Sequence, residues 1–340
     1  MKTAIIITGL PRCIGFNIEE LTRITESFDV FVVTNRTKEL EFEGFSSIKS
    51  ITYIDDIKDE KAQEKQYLDM KEGGKILQWQ KLKIAMRALE EYETQNNILY
   101  DTIFKIRTDL IFSTDFIIPN VNSSVFHMNT DLYFGGTRSN FKKVSQFIDH
   151  IDVYYKNYRF LPFNAELVNS SEHSAARFHW LNYPKALAGV AEDFSAFQSL
   201  DFKQYKEEFS LESDAFSFRE DYLDIIFATE PSFLHYVLAN GLIVKNFDFE
   251  RVGILPFRKL SGLPLLEKIN SDEFPVLLRT VDINSITTQQ AKALFKVAKK
   301  CRYYNTKKAR RLLDIIVKRK PYNIRYLIFR LYLKYLYQEK

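Results

Sequence analysis

Short apolar runs that stop abruptly at polar residues constrain this chain more than any other feature. Thr3-Ala4-Ile5-Ile6-Ile7-Thr8 and Asp29-Val30-Phe31-Val32-Val33-Thr34 are rich in β-branched residues, and Tyr100-Asp101-Thr102-Ile103-Phe104-Lys105-Ile106 runs straight into Arg107-Thr108-Asp109-Leu110. Runs this short and this apolar read as buried strands, and residues 48–54 predict one more. Between them, residues 17–27 place Ile18, Leu21 and Ile24 on one helical face, and residues 77–92 do the same with Leu82, Leu89 and Tyr92. Strand and helix in alternation imply an α/β fold with a mostly parallel sheet and helices on its faces.

Further along, residues 124–128 and 131–136 predict short strands and residues 141–155 a helix. Residues 55–74 read as a loop or an exposed helix. Residues 156–228 are irregular, aromatic and acidic, and read as an insertion on the acceptor side. Residues 230–240 predict a helix that Gly241 is placed to end, followed by a strand over 242–247. Helices over 287–304 and 307–318 precede Pro321 and a last helix over 322–337.

The chain of 340 residues is long enough for a sizeable core. It has no apolar stretch of about 20 residues to cross a bilayer, and its start does not read as a signal peptide. Cys13 and Cys301 are the only cysteines, too far apart for a disulfide framework or zinc spacing, which fits a reducing compartment. The net charge of +4 hides an asymmetry: residues 299–340 hold 14 Lys and Arg against 2 Asp and Glu, a net of +12, which leaves −8 for the rest. A basic tail on an acidic body points to a polyanionic partner.

In an open α/β sheet, ligands bind outside the carboxyl ends of the strands. Three predicted strands end in polar groups on that edge. Gly9-Leu10-Pro11-Arg12 follows the first, and glycine there lets backbone approach a ligand while Arg12 adds a cation. Asn35 and Arg36 follow the second. Arg107, Thr108 and Asp109 end the third: Asp109 is suited to hold a divalent cation that bridges a diphosphate, and Arg107 to pair with phosphate directly. The plainer reading of the triplet is a surface turn with an Arg–Asp pair. No G-x-x-x-x-G-K-[ST] and no G-x-G-x-x-G occurs, which argues against a P-loop NTPase and a dinucleotide binder.

Taken with Gln80-Lys81-Leu82 and Tyr133-Phe134-Gly135-Gly136, these segments resemble bacterial GT-A-type glycosyltransferases, and more narrowly the WavE-like enzymes of lipopolysaccharide and capsule synthesis. The resemblance covers about residues 1–250. It implies a catalytic domain over 1–255 and a helical extension over 256–340. It implies donor contacts from Gly9, Pro11, Arg12, Asn35, Arg36, Lys81, Arg107, Gly135 and Gly136, with Asp109 at the metal and diphosphate. The usual motif is Asp-x-Asp; Arg107 stands in its first place, which leaves dependence on Mn²⁺ or Mg²⁺ open.

Inverting transfer needs a base near the acceptor hydroxyl. Glu192 and Asp193 resemble the acidic pair of many such enzymes, and Glu230 the Glu that opens the helix before the last core strand. Glu230 also suits a plain helix start, with Pro231 in the first turn. His173 and His179 match no zinc spacing on a helix, and Trp79 and Trp180 are as well explained by a core as by stacking on sugar.

In the tail, apolar and aromatic residues of 322–337 leave a stripe of Asn323, Arg330, Lys334 and Gln338, and Lys307, Lys308, Arg310, Arg311, Lys318, Arg319 and Lys320 come just before. This predicts an interfacial helix on anionic lipid; packing on the catalytic domain or on a second copy in a homodimer is the other reading. Nucleic acid is not expected. The chain is thus expected to be a cytoplasmic enzyme, peripheral on the inner face of the membrane, moving sugar from a nucleotide-sugar donor to a lipid-linked or growing surface glycan. Its rivals are a nucleotidyl- or phosphosugar transferase and a non-catalytic scaffold.

Overall fold

The computed structural model describes residues 1–9, 14–36, 42, 45–56, 73–112, 116–119, 121, 125–129, 131–152, 154, 162–163, 217–218, 229, 232–233, 236–237, 240, 242–246, 252–254, 263–302 and 305–336. Its centre is a seven-stranded mixed sheet. In chain order the strands are β1 (Thr3–Thr8), β2 (Asp29–Thr34), β3 (Ile48–Tyr53), β4 (Thr102–Ile106), β6 (Val125–Asn129), β7 (Tyr133–Thr137) and β10 (Ile243–Asn246). Across the sheet the order is β10-β6-β7-β4-β1-β2-β3. Strand β1 pairs in parallel with β2 on one side and β4 on the other, and β3 runs parallel to β2. Only β7 is reversed, lying antiparallel to both β4 and β6. Strand β5 (Leu110–Phe112) leaves this sheet and pairs antiparallel with β11 (Val252–Ile254), while β8 (Pro162–Phe163) and β9 (Ser217–Phe218) form a separate small pair.

The runs read as buried strands are buried: Ala4, Ile5, Ile6, Ile7, Val30, Phe31, Val32 and Val33 are at most 1% exposed. One face of the sheet carries Ile5, Ile7, Val30, Val32, Phe104 and Ile106 against α1 (Ile14–Thr25). The other carries an aromatic layer in which Phe31 meets Tyr92, and Phe134 meets Trp79 and Phe141. Trp79 belongs to α2 (Gly73–Asn96) and is 1% exposed among Phe134, Phe147 and Phe233, so its role is core packing. The helix expected over 141–155 starts earlier, as α3 (Arg138–Ser145), and gives way to a 3-10 turn over Phe147–His150.

Gly135 and Gly136 lie inside β7, hemmed in by its neighbours. A Cβ on Gly135 would stand 2.1 Å from Phe104 Cδ1 and 2.5 Å from the Ile103 carbonyl, and one on Gly136 would stand 2.8 Å from Phe126 Cδ2. Their small size is required by two rings that cross the sheet. This packing accounts for the pair without the donor-sugar contact expected from the sequence.

Residues 264–336 form a helical layer: α4 (Pro264–Glu267), α5 (Phe274–Thr280), α6 (Thr288–Cys301), α7 (Thr306–Arg319) and α8 (Ile324–Leu336). Thr287 and Gln290 exchange side-chain to backbone hydrogen bonds at the start of α6, and the Asn305 side chain accepts from the Lys308 backbone N–H at the start of α7. The layer has its own apolar core, and Phe16 of α1 belongs to it. Lys308 is the second link to α1. Its ammonium, buried completely, donates to both Glu20 oxygens at 2.6 and 2.8 Å and to the Phe16 carbonyl.

Besides Lys308, four cations among the tail's described residues donate to backbone carbonyls. Arg311 donates to the Ile269 and Ser271 carbonyls, Lys318 to those of Leu278 and Arg279, Arg319 to that of Ile286, and Arg310 to that of Leu333. Cations at helix carboxyl ends satisfy carbonyls that lack a partner within the helix.

Removing one partner of a buried ion pair strands the other charge, at a cost of ~3–5 kcal/mol. Lys308→Ala is expected to lower the unfolding free energy by that amount in urea titration, and Lys308→Met with Glu20→Leu to recover most of it.

Candidate active site at the carboxyl edge of the sheet

Strands β1 to β4 are parallel, so their carboxyl ends share one edge. The chain leaves β1 toward β2 on one side, whereas β4 lies on the other side of β1. The gap between β1 and β4 is therefore the topological switch point, the place where open α/β sheets bind ligands.

At the β4 end the chain turns through Arg107, Thr108 and Asp109 before entering β5. The turn is fastened by its own charges. Arg107 Nε donates to Asp109 Oδ1 at 2.9 Å and Nη2 to Oδ2 at 2.7 Å, while Nη1 donates to Asp131 Oδ2 at 3.0 Å. The carboxylates are buried, with side chains 6% and 9% exposed, and the Arg107 side chain is 25% exposed. The Arg–Asp pair of the plainer sequence reading is present, but it is buried at the switch point and not on an open surface turn. Asn17 of α1 holds the middle of the turn, its Nδ2 donating to the Thr108 carbonyl at 2.7 Å.

Lys105, the one charge inside β4, is 2% exposed. Its ammonium donates to the Asp131 backbone carbonyl and lies 5.2 Å from the centre of the Phe134 ring. Burial, with the Arg107 charge beside it, pulls its pKa down to about 7 against the opposing pull of Asp131 and Asp109. For Arg107 the balance is reversed. Burial would lower its pKa, but the Asp131 and Asp109 carboxylates outweigh that and raise it, so the guanidinium stays charged.

A second cluster lies over the ends of β2 and β3. Lys81 of α2 donates to Asn35 Oδ1 at 2.5 Å, and Asn35 Nδ2 donates to Asp55 Oδ1 at 3.2 Å. The Arg36 backbone N–H donates to the other Asp55 oxygen at 2.5 Å, and the Arg36 guanidinium stands 4.4 Å from the Tyr53 ring centre. Partial burial would raise the Asp55 pKa, but the Arg36 N–H, the Asn35 amide and the Lys81 charge together lower it. Between the two clusters stands the end of β1. Gly9 takes φ +129°, open to glycine and strained for other residues, and among the described residues nothing lies within 4 Å of where its Cβ would be. Among the described residues, the buried Thr8 hydroxyl at the end of β1 and the buried Asn17 Oδ1 have no hydrogen-bond partner.

The structure thus brings Arg107 and Asp109 together in one cluster and Lys81, Asn35 and Arg36 in another, with Gly9 between. Pro11, Arg12, Glu192, Asp193 and Glu230 lie outside the described residues, as do His173, His179 and Trp180. Reading the sequence missed Asp131, Lys105, Asp55, Tyr53, Thr8 and Asn17. Lys105 carried a signal, a lone charge in an apolar run. Asp131 carried none, because only the reversed strand β7 brings it to Arg107. No protein-family profile matches this chain, and no curated protein does.

A lysine that binds its proton more weakly in the fold than in the open chain makes the fold more stable as pH rises from about 7 toward lysine's ordinary 10.5. Chemical denaturation at pH 7, 8 and 9 should show unfolding free energy increasing with pH, and the Lys105→Met variant should show that slope reduced.

Proposed function

We propose that this protein is a glycosyltransferase with a GT-A-like fold, carrying sugar from a nucleotide-sugar donor to a lipid-linked or growing bacterial surface glycan. The observation that supports this most is the pair of charged clusters flanking Gly9 at the switch point. In this reading the diphosphate meets Arg107 and the nucleoside lies toward Asn35, Arg36, Tyr53 and Lys81. Asp109 aims Arg107 by its two-point hydrogen bond and acts as a positioning residue. Glu192, Asp193 and Glu230 are the proposed candidates for the base that takes the acceptor proton.

Calorimetry with UDP, GDP and CMP tests the donor assignment: one nucleotide should bind, and failure of all three would remove its basis. Asp109→Asn should cut sugar transfer by ~100-fold or more while the circular dichroism spectrum is kept. Release of a nucleoside diphosphate marks glycosyl transfer, whereas pyrophosphate release would favour the nucleotidyl-transferase rival.

The proposed acceptor side is a membrane surface. Among the described residues no helix is long and apolar enough to cross a bilayer. Helix α8 has two apolar faces instead. Tyr326, Phe329 and Leu333 pack inward. Ile324, Ile328, Leu331 and Tyr335 follow each other at steps of four and three residues and are 71, 61, 53 and 65% exposed. Exposed Arg325 and Lys334 flank that outer stripe. An apolar stripe edged by cations suits the headgroup boundary of anionic lipid. The protein is expected to float with phosphatidylglycerol vesicles, and Ile328→Glu with Leu331→Glu to leave it unbound with its thermal midpoint kept. If the double variant instead splits a dimer and floats as before, the stripe is a contact between copies.

A further inference from the structure

We infer that the Arg107 guanidinium occupies the place of a divalent cation between Asp109 and Asp131, so that this site meets its anionic ligand with a resident arginine and without a metal bridge. The donor-site reading supplies the identity of the ligand; the assignment of the cation stands on the geometry of the cluster.

A metal bridge needs carboxylate oxygens turned toward a shared point. Here both oxygens of Asp109 accept from Arg107, at 2.9 and 2.7 Å, and one oxygen of Asp131 accepts from the same guanidinium at 3.0 Å. The three bonds fix the plane of the guanidinium between two buried carboxylates. A metal entering there would have to break a two-point, charge-assisted pair, which ranks among the stronger polar contacts. It would also enter next to Lys105, whose ammonium sits on the Asp131 backbone carbonyl. Among the described residues no group of three or more His, Cys, Asp and Glu is placed to hold a metal. The donor set therefore fits a guanidinium and does not fit Mn²⁺ or Mg²⁺.

The arrangement also leaves the arginine able to act. A guanidinium has five N–H donors, and the carboxylates take three of them. The two that remain belong to Nη1 and Nη2, on a side chain still a quarter exposed. These are the donors Arg107 has left for phosphate oxygens. Asp109 and Asp131 would then do for Arg107 what they would otherwise do for a metal, holding a cation in a set position at the switch point.

The test uses Mn²⁺ as the probe, followed by electron paramagnetic resonance, with the full chain alone and with UDP, GDP or CMP. Wild type is expected to bind no Mn²⁺ above background, and nucleotide affinity is expected to stay within about twofold when EDTA is added. Arg107→Ala and the bulkier Arg107→Gln open the carboxylate pair, and at least one is expected to gain Mn²⁺ affinity by ~10-fold or more over wild type. Asp131→Asn in that background should abolish the gain. Mn²⁺ binding by wild type that is lost in Asp131→Asn would overturn the inference, as would a nucleotide affinity that EDTA lowers by ~10-fold. Folded Arg107 variants with no gain would overturn it too. If neither variant folds, the wild-type measurements decide alone. If no nucleotide binds at all, the donor reading fails, while the Mn²⁺ measurements still decide what stands between Asp109 and Asp131.

Discussion

Strand β1 is paired in parallel on both sides, with β2 and with β4, and most of the molecule follows from that. Parallel neighbours cannot be joined by tight turns, so the chain crosses a face of the sheet between β1 and β2 and between β3 and β4, and α1 and α2 lie in those crossings. Because β2 and β4 flank β1, the chain diverges after β1, and the carboxyl edge there is the topological switch point. The β-branched and aromatic residues of β1, β2 and β4 are buried on both faces, so polar chemistry is displaced to the strand ends.

The two edges of the sheet use their charges differently. Near the amino end of β4, Glu93 is buried and accepts from Arg138 through both oxygens and from the Tyr100 backbone N–H, closing the end of α2 against α3. Asn97 supports this turn with φ 50°, a left-handed conformation that asparagine tolerates. That cluster joins elements, and Arg87, Glu90, Glu91 and Thr94 of α2 line an open hollow beside it. At the carboxyl edge, Arg107 and Asp131 come from segments that meet only through the reversed strand β7. They stand near the end of β1, where among the described residues the buried Thr8 hydroxyl and Asn17 Oδ1 have no hydrogen-bond partner. Charges of the same residue types thus fasten two helices at one edge and a strand-end turn at the other.

The helical layer is joined to this edge mechanically. Lys308 holds Glu20 and the Phe16 carbonyl, Asn270 donates to the Gly15 and Phe16 carbonyls, and Asn17 on the same helix holds the Thr108 carbonyl. Helix α1 thus lies between the tail and the Arg107 turn. Deleting the tail would strip α1 of its buried partner, so the membrane contact proposed for α8 is better tested by changes confined to its outer stripe.

Residue type and spacing along the chain were enough to give the alternation of short buried strands with helices, the shared edge of their polar ends, and the position of Arg107 and Asp109 at a strand end. These are local properties: residue type, spacing and where an apolar run stops. The sequence also located the helices of the tail, since their caps and periodicity are local too. Tertiary structure alone decided what those residues touch. Asp131 reaches Arg107 because β7 runs backward between β4 and β6, a pairing with no local signature. Gly135 and Gly136 were legible as places where backbone comes close to something, but only the sheet showed that the neighbours are Phe104 and Phe126. The tail's charge was countable in the sequence, whereas its engagement with helix carbonyls depends on which helix end each cation meets. Charge and hydrophobicity are written along the chain, but the partner that neutralises a charge is chosen by contacts between residues far apart in it.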